Sequence, residues 1–258
     1  MLHHVDHGGG GPTIVLLHAF PLDSTMFDDL VPLLHDTMRV VTIDLPGLGR
    51  SSVPAVEPTM DAVAAGVLDV LDVLGIGDSV VLGVSTGGYA ALRLADLAPE
   101  RVSALVLGST TPHRIEPDVP DERRAVADEV ERTGSTAPVA DSADEGLGAT
   151  AHRERPDLVD RLRRTIDAAD PAGVAWMARA IAGRADTAHV LHSFPRPVVL
   201  LFGSEDGATP PVRGQEMANL RGELPTSLYV LATTGHLTAL EAPEEVAAVL
   251  SELLPELG

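Results

Sequence analysis

Cysteine is absent from these 258 residues, and so is lysine, since all eighteen basic side chains are arginine. The first absence removes thiol nucleophiles, disulfides and thiolate metal sites. The second removes Schiff-base chemistry and any phosphate loop built on a lysine amine. Aromatics are scarce: Phe20, Phe27, Tyr89, Trp176, Phe194, Phe202 and Tyr229 are the whole set. With 45% hydrophobic residues, the core must be built mainly from Val, Leu and Ala. Positive charge is short as well. Thirty-eight acids against eighteen bases leave a formal net charge of −20, which repels phosphate backbones and anionic membrane surfaces, so neither nucleic acid nor membrane is expected as a partner. No apolar run approaches the ~18 residues of a membrane span. Residues 1–12 have neither the basic nor the apolar region of a signal peptide, and a soluble, cytoplasmic protein is expected.

What is present is a succession of short β-rich runs separated by helical stretches. That pattern predicts the α/β class, with a mostly parallel central sheet covered by helices on both faces. The runs are residues 13–17, 40–44, 79–82, 104–107, 198–202 and 227–231, and most are apolar throughout, as strands buried on both faces are. Met60, Val63, Val67, Leu71 and Leu74 recur at helical spacing, with Thr59 placed to cap the start and Gly75 to end it. Residues 89–97 and 243–254 supply two further sheet-covering helices. From Pro112 to Ser193 the chain turns charged, punctuated by proline and helical, with no convincing strand. The expected organisation is a core of residues 1–111 and 194–258 interrupted by a helical cap of residues 112–193. Helices are predicted there over 121–132, 156–168 and 171–182, the last with Asp170 as N-cap, while 134–148 is left without an element.

The chemistry-bearing pattern is Gly83-Val84-Ser85-Thr86-Gly87, a G-x-S-x-G with an apolar run before it and a helix after it. That context makes it a nucleophile elbow: the serine sits on a tight strand-to-helix turn where flanking side chains would collide. The helix start places free N–H groups where an oxyanion would form. A serine nucleophile needs a base, and the base an orienting acid, in the chain order serine, acid, histidine for this arrangement. Asp206 follows the run 198–202 and His236 follows the run 227–231, so both fall at the carboxyl edge of the sheet with Ser85. Glu205 competes with Asp206 for the acid role. The N–H groups of Phe20, in the loop after the run 13–17, and of Thr86 are the expected oxyanion donors, since Pro21 has no N–H. His18 opens the same loop and reads as holding it in place.

With LLHAFPLD (residues 16–23), VVTIDLPGLGRSS (40–52), GVSTGG (83–88), LLFGSEDGATPP (200–211) and TTGHLTALEAPEEV (233–246), the chain resembles the serine α/β-hydrolases. The resemblance covers nearly everything outside the cap. It implies Ser85 as nucleophile, Asp206 as acid, His236 as base, Phe20 and Thr86 as oxyanion donors, and a structural loop around Asp44 and Arg50. It also implies that the short N-terminus trims the first strand or hairpin of the fold. Residues 178–197 are similar to the corresponding stretch of small esterases and of 3-oxoadipate enol-lactonase-like hydrolases, which implies a compact carboxylic ester or lactone substrate and no cofactor. Two other functions remain open on the sequence: a cofactor-free perhydrolase or haloperoxidase-type activity on the same triad, and a non-catalytic ligand-binding member of the fold.

Other signals weigh less. His3, His4, Asp6 and His7 have ligand-type side chains but read as solvated residues of an N-terminal turn, and no metal is expected. His189 and His192 fare no better as a ligand pair. Gly47-Leu48-Gly49 runs into Pro54 and Pro58 instead of a helix, so the dinucleotide reading fails. Met26, Phe27, Trp176 and Met177 are candidate lining for an acyl pocket. Arg123, Arg124, Arg163 and Arg164 read as a solvated, salt-bridged face, not an anion site. The oligomeric state is not legible.

Overall fold

A computed structural model of the chain describes residues 1–114 and 119–257; positions 115–118, at the start of the expected cap, and Gly258 lie outside them. Seven strands form one sheet: β1 (His4–Gly8), β2 (Thr13–Leu17), β3 (Arg39–Ile43), β4 (Ser79–Val84), β5 (Val102–Gly108), β6 (Val198–Gly203) and β7 (Thr226–Leu231). Their spatial order is β1-β3-β2-β4-β5-β6-β7. All neighbours run parallel except β1, which pairs antiparallel with β3. The six expected strands are all present, and β4 and β6 are buried along their whole length, as their unbroken apolar runs require.

A seventh strand, where the sequence reading placed none, precedes the six. The segment read as a solvated turn is β1, held by side chains that its polar sequence disguised. Asp6 pairs with Arg39 at 2.7 Å, His7 meets Thr42 at 3.0 Å, and His3 meets Asp44 at 3.0 Å. An edge strand exposes one side to water, so its polar residues can serve as the register contacts and the apolar signature is lost.

The helix Met60–Val73 buries Met60, Val63, Ala64, Val67, Val70 and Leu71 against the sheet. Its cap is the expected one: Thr59 Oγ1 accepts from the Ala62 N–H at 3.1 Å, and Gly75 at φ +63° ends it. The chain goes from β2 outward to β3, then returns to place β4 on the other side of β2. That reversal opens a crevice at the carboxyl ends of β2 and β4, the general ligand position in open α/β sheets.

Between β5 and β6 the described residues contain helices and no strand. The longer helices are Val119–Thr133, Pro156–Ala168 and Pro171–Ala182, with Asp170 capping the last by accepting from the Ala172 N–H at 3.0 Å. The stretch left unassigned holds a 3-10 turn, Ala137–Val139, and the single-turn helix Ser142–Glu145. Backbone contact ties this segment to the core, because a Cβ on Gly173 would collide with the Gly47 backbone. Ion pairs from Arg161 to Asp29 at 3.0 Å and to Asp28 at 3.4 Å add a second tie. Among the described residues no helix is long and apolar enough to cross a membrane.

Candidate active site

Ser85 stands between β4 and the helix Thr86–Leu97 with φ +52° and ψ −111°, a conformation that costs a non-glycine residue roughly 1–3 kcal/mol and survives only where its surroundings enforce it. The enforcement is visible. Ser85 N–H donates to Gly108 O at 2.8 Å, and Ser85 O accepts from the Gly88 N–H at 2.9 Å and from Thr110 Oγ1 at 2.8 Å. The glycines explain why the turn can be this tight: a Cβ on Gly83 would strike the Gly87 carbonyl, and one on Gly87 would strike the Leu17 carbonyl at the end of β2. Thr86 occupies the first position of its helix, where the N–H has no intrahelical acceptor.

The acid and histidine loops leave adjacent strands and are bonded to each other. Gly203 ends β6 opposite Leu231 at the end of β7. Ser204 N–H donates to Leu231 O and Glu205 N–H to Thr234 O, each at 2.8 Å. His236 Nδ1 then donates to Asp206 Oδ2 at 3.0 Å and Oδ1 at 3.1 Å. The Asp206 side chain is fully shielded from solvent. Burial alone would push its carboxyl up, but the His236 hydrogen bond and the Thr209 N–H outweigh it and hold the pKa below the ordinary carboxylate value. Its anionic form therefore adds stability at any pH above about 4, and this is lost only as pH falls through the lowered value. Glu205, the rival, faces away: its carboxylate accepts from the Thr150 N–H and hydroxyl, both at 2.7 Å.

Ser85 and His236 line one cleft of about 370 Å³ together with Phe20, Thr86 and Tyr89. The Ser85 hydroxyl makes no hydrogen bond among the described residues; such contacts commonly tighten only when substrate is bound. Phe20 lies in the loop after β2, ahead of a cis Phe20–Pro21 peptide. His18 has the structural role expected of it: fully buried, its Nδ1 donates to Ala19 O at 2.9 Å while Nε2 accepts from the Leu45 N–H at 2.8 Å. That pairing needs the neutral ring, and burial holds its pKa below the usual imidazole value. Asp44 organises the neighbouring loop, accepting from the Ser24 N–H at 2.8 Å and the Arg50 N–H at 2.9 Å.

Two expectations need correction. Met26, Phe27, Trp176 and Met177 do not line this cleft; all four are buried packing residues, and Trp176 Nε1 is engaged by Val56 O at 3.1 Å. Large apolar side chains are the first to be consumed by a core with so few aromatics. Arg123, in contrast, does not sit on a solvated face but lines the cleft, with its guanidinium 6.0 Å from the Phe20 ring centroid. Arg163 does pair on the surface, with Asp144 at 3.0 Å. Among the described residues no group of three or more His, Asp or Glu could hold a metal ion.

Sequence reasoning missed Glu241. Its Oε2 accepts from the N–H groups of Gly148 at 2.9 Å and Gly235 at 3.0 Å, and Oε1 from that of Leu237 at 3.2 Å. It thus grips the peptides on both sides of His236 and ties them to the inserted segment. Burial pushes its pKa up even so. The signal lay in the spacing Gly235-His236-Leu237 to Glu241, one helical turn, which looks like any first-turn acid. Glu241→Ala leaves the inward N–H groups of Gly148 and Gly235 unsatisfied, while that of Leu237 keeps Gly146 O at 3.2 Å, and is expected to lower stability by about 2 kcal/mol or more, with Glu241→Gln milder. Urea unfolding midpoints of the two variants measure this; equal midpoints for Glu241→Ala and the parent chain would refute it.

A family profile described as α/β hydrolase fold matches residues 12–243. The pimeloyl-[acyl-carrier protein] methyl ester esterase of Neisseria meningitidis is 29% identical over 264 residues, covering 93% of this chain and 92% of its own length. The same-named protein of Photobacterium profundum is 26% identical, at 95% and 96% coverage. A thermophilic esterase from Thermogutta terrifontis, solved with malate bound, superposes with a TM-score of 0.94 at 32% identity, covering 99% of this chain and 93% of the other. The enol-lactonase of Burkholderia xenovorans, at 24% identity and TM-score 0.86 over 99% of this chain and 96% of its own, shares the fold. Sheet order, elbow and whole-length profile agree, and the chain belongs to the α/β-hydrolase fold family.

Proposed function

We propose that this α/β-hydrolase, an ester-acting enzyme by its family and relatives, is a serine hydrolase that cleaves a small carboxylic ester or lactone through an acyl-enzyme. His236 takes the Ser85 Oγ proton as Oγ bonds to the substrate carbonyl carbon, and Asp206 stabilises the imidazolium and fixes its tautomer. The N–H groups of Phe20 and Thr86 hold the oxyanion; loss of one such donor costs about 3 kcal/mol in sites of this kind. The tetrahedral adduct collapses, and His236 returns the proton to the departing alkoxide. Water then repeats the cycle, with Oγ as the leaving group. Residues 112–193 serve as the cap that shapes the cleft.

The observation that carries the reading is the Asp206–His236 hydrogen bond at a cleft shared with a serine in a strained turn. The relatives named as methyl ester esterases support an ester as the bond cleaved. A fluorophosphonate probe is expected to add once, at Ser85, and to abolish p-nitrophenyl acetate hydrolysis in proportion. Peptide mass mapping reads the position. An unlabelled Ser85 with hydrolysis intact would refute the assignment.

A further inference from the structure

The cleft carries a charge opposite to that of the protein. In a chain of net charge −20, its described lining includes Arg114, Arg123, Arg184, Arg213 and His113 against one carboxylate, Glu145. Acids are plentiful, and several other arginines find them: Arg93 pairs with Asp61 at 2.6 Å and Arg179 with Asp128 at 2.7 Å, and within the cleft lining Arg213 pairs with Glu216 at 2.8 Å. Arg114, Arg123 and Arg184 form no ion pair with a described residue.

Arg184 is the least expected of the three. It is only 9% exposed, and its guanidinium carbon lies 4.1 Å from the centroid of the Tyr89 ring. One terminal nitrogen donates to His113 O at 3.1 Å, while the buried Nε has no hydrogen-bond partner among the described residues. Burial lowers its pKa, Arg123 adds repulsion, and Tyr89 and Asp186 only partly offset this. A buried cation without a carboxylate is costly, and an orphaned donor beside a cleft calls for an acceptor that no described residue supplies.

Position turns this into a statement about substrate. Tyr89 follows Ser85 by four residues, and its N–H donates to Ser85 O at 3.2 Å, so it stands one helical turn from the nucleophile. Arg184, stacked on that ring, lines the same cleft as Ser85. Held flat, a guanidinium presents a planar fork that matches a carboxylate better than a tetrahedral anion.

We propose that Arg184, with Arg123 and Arg114, forms a carboxylate subsite beside Ser85, so that the preferred substrate is an ester carrying a second, ionised carboxyl group, such as a half-ester of a short dicarboxylic acid. This rests on the ester-hydrolase reading above. Charge-assisted hydrogen bonds of this kind correspond to a selectivity of roughly ten- to a hundred-fold.

The test compares kcat/KM for monomethyl adipate and for neutral methyl hexanoate. The half-ester is expected to win by that factor, and Arg184→Gln to bring the ratio close to one, with Arg184→Lys between. Equal values in the unaltered enzyme would overturn the proposal while leaving the ester-hydrolase reading intact. Should neither ester react, that reading fails, and adipate binding to the Ser85→Ala protein by calorimetry decides the subsite alone: binding lost on adding Arg184→Gln upholds it, and no binding overturns it. Inorganic phosphate binding more tightly than adipate would overturn the carboxylate assignment. If Arg184→Gln does not fold, half-exposed Arg123→Gln takes its place, with a smaller fall in the same ratio expected and an unchanged ratio counting against the proposal.

Discussion

Ser85→Ala is expected to lower kcat/KM for p-nitrophenyl acetate by about four to six orders of magnitude while the protein stays folded. The rate loss follows because no acyl-enzyme can form, leaving only binding and the oxyanion donors. Retained folding follows from where the serine is held. Its backbone, bonded to Gly108, Gly88 and Thr110, defines the turn, and its hydroxyl takes no part in those bonds. A thermal melt within a few degrees of the unaltered chain, together with the collapse in rate, is the signature. Hydrolysis surviving within ten-fold would mean that Ser85 is not the nucleophile.

Asp206→Asn is the second large effect, expected at about 10³- to 10⁴-fold in kcat, and its cause is proton placement. Asp206 Oδ1 accepts from the N–H groups of Ala208 at 2.9 Å and Thr209 at 2.8 Å. An asparagine must keep its one carbonyl oxygen there, so its amide N–H₂ turns toward His236 Nδ1. Nδ1 would then have to accept, the proton would move to Nε2, and the ring could no longer take one from Ser85. The loss should therefore appear in kcat more than in KM, and steady-state kinetics separates the two. A variant within ten-fold of the parent kcat would show that Asp206 does not orient the base.

The interior strands and the elbow were legible because each rests on a short, dense local signal. Buried parallel strands read as apolar runs, and the glycines around Ser85 answer to backbone contacts that any substitution would break. Asp206 and His236 could be placed by order, since a residue just after a parallel strand falls on the carboxyl edge whatever its neighbours are. What escaped were features set by partners distant in the chain. β1 declares itself through Arg39 and Thr42 on the strand beside it and Asp44 just past that strand's end. Arg123 and Arg184 belong to the cleft because the inserted helices fold back over it, and helical periodicity carries no information about which way such a segment lies. Glu241 was hidden for the same reason, its role residing in three peptide N–H groups and not in its own side chain's polarity.

The close approach of Gly173 to Gly47 reaches beyond packing. With two main chains in touch and Arg161 tethered nearby, the helix Pro171–Ala182 cannot hinge away from the sheet without parting a glycine-to-glycine seam. Arg184, two residues past the end of that helix, inherits its fixity. A side chain added at Gly173 is therefore expected to push that helix outward and to displace Arg184 relative to Ser85, changing which esters are accepted before it changes the chemistry.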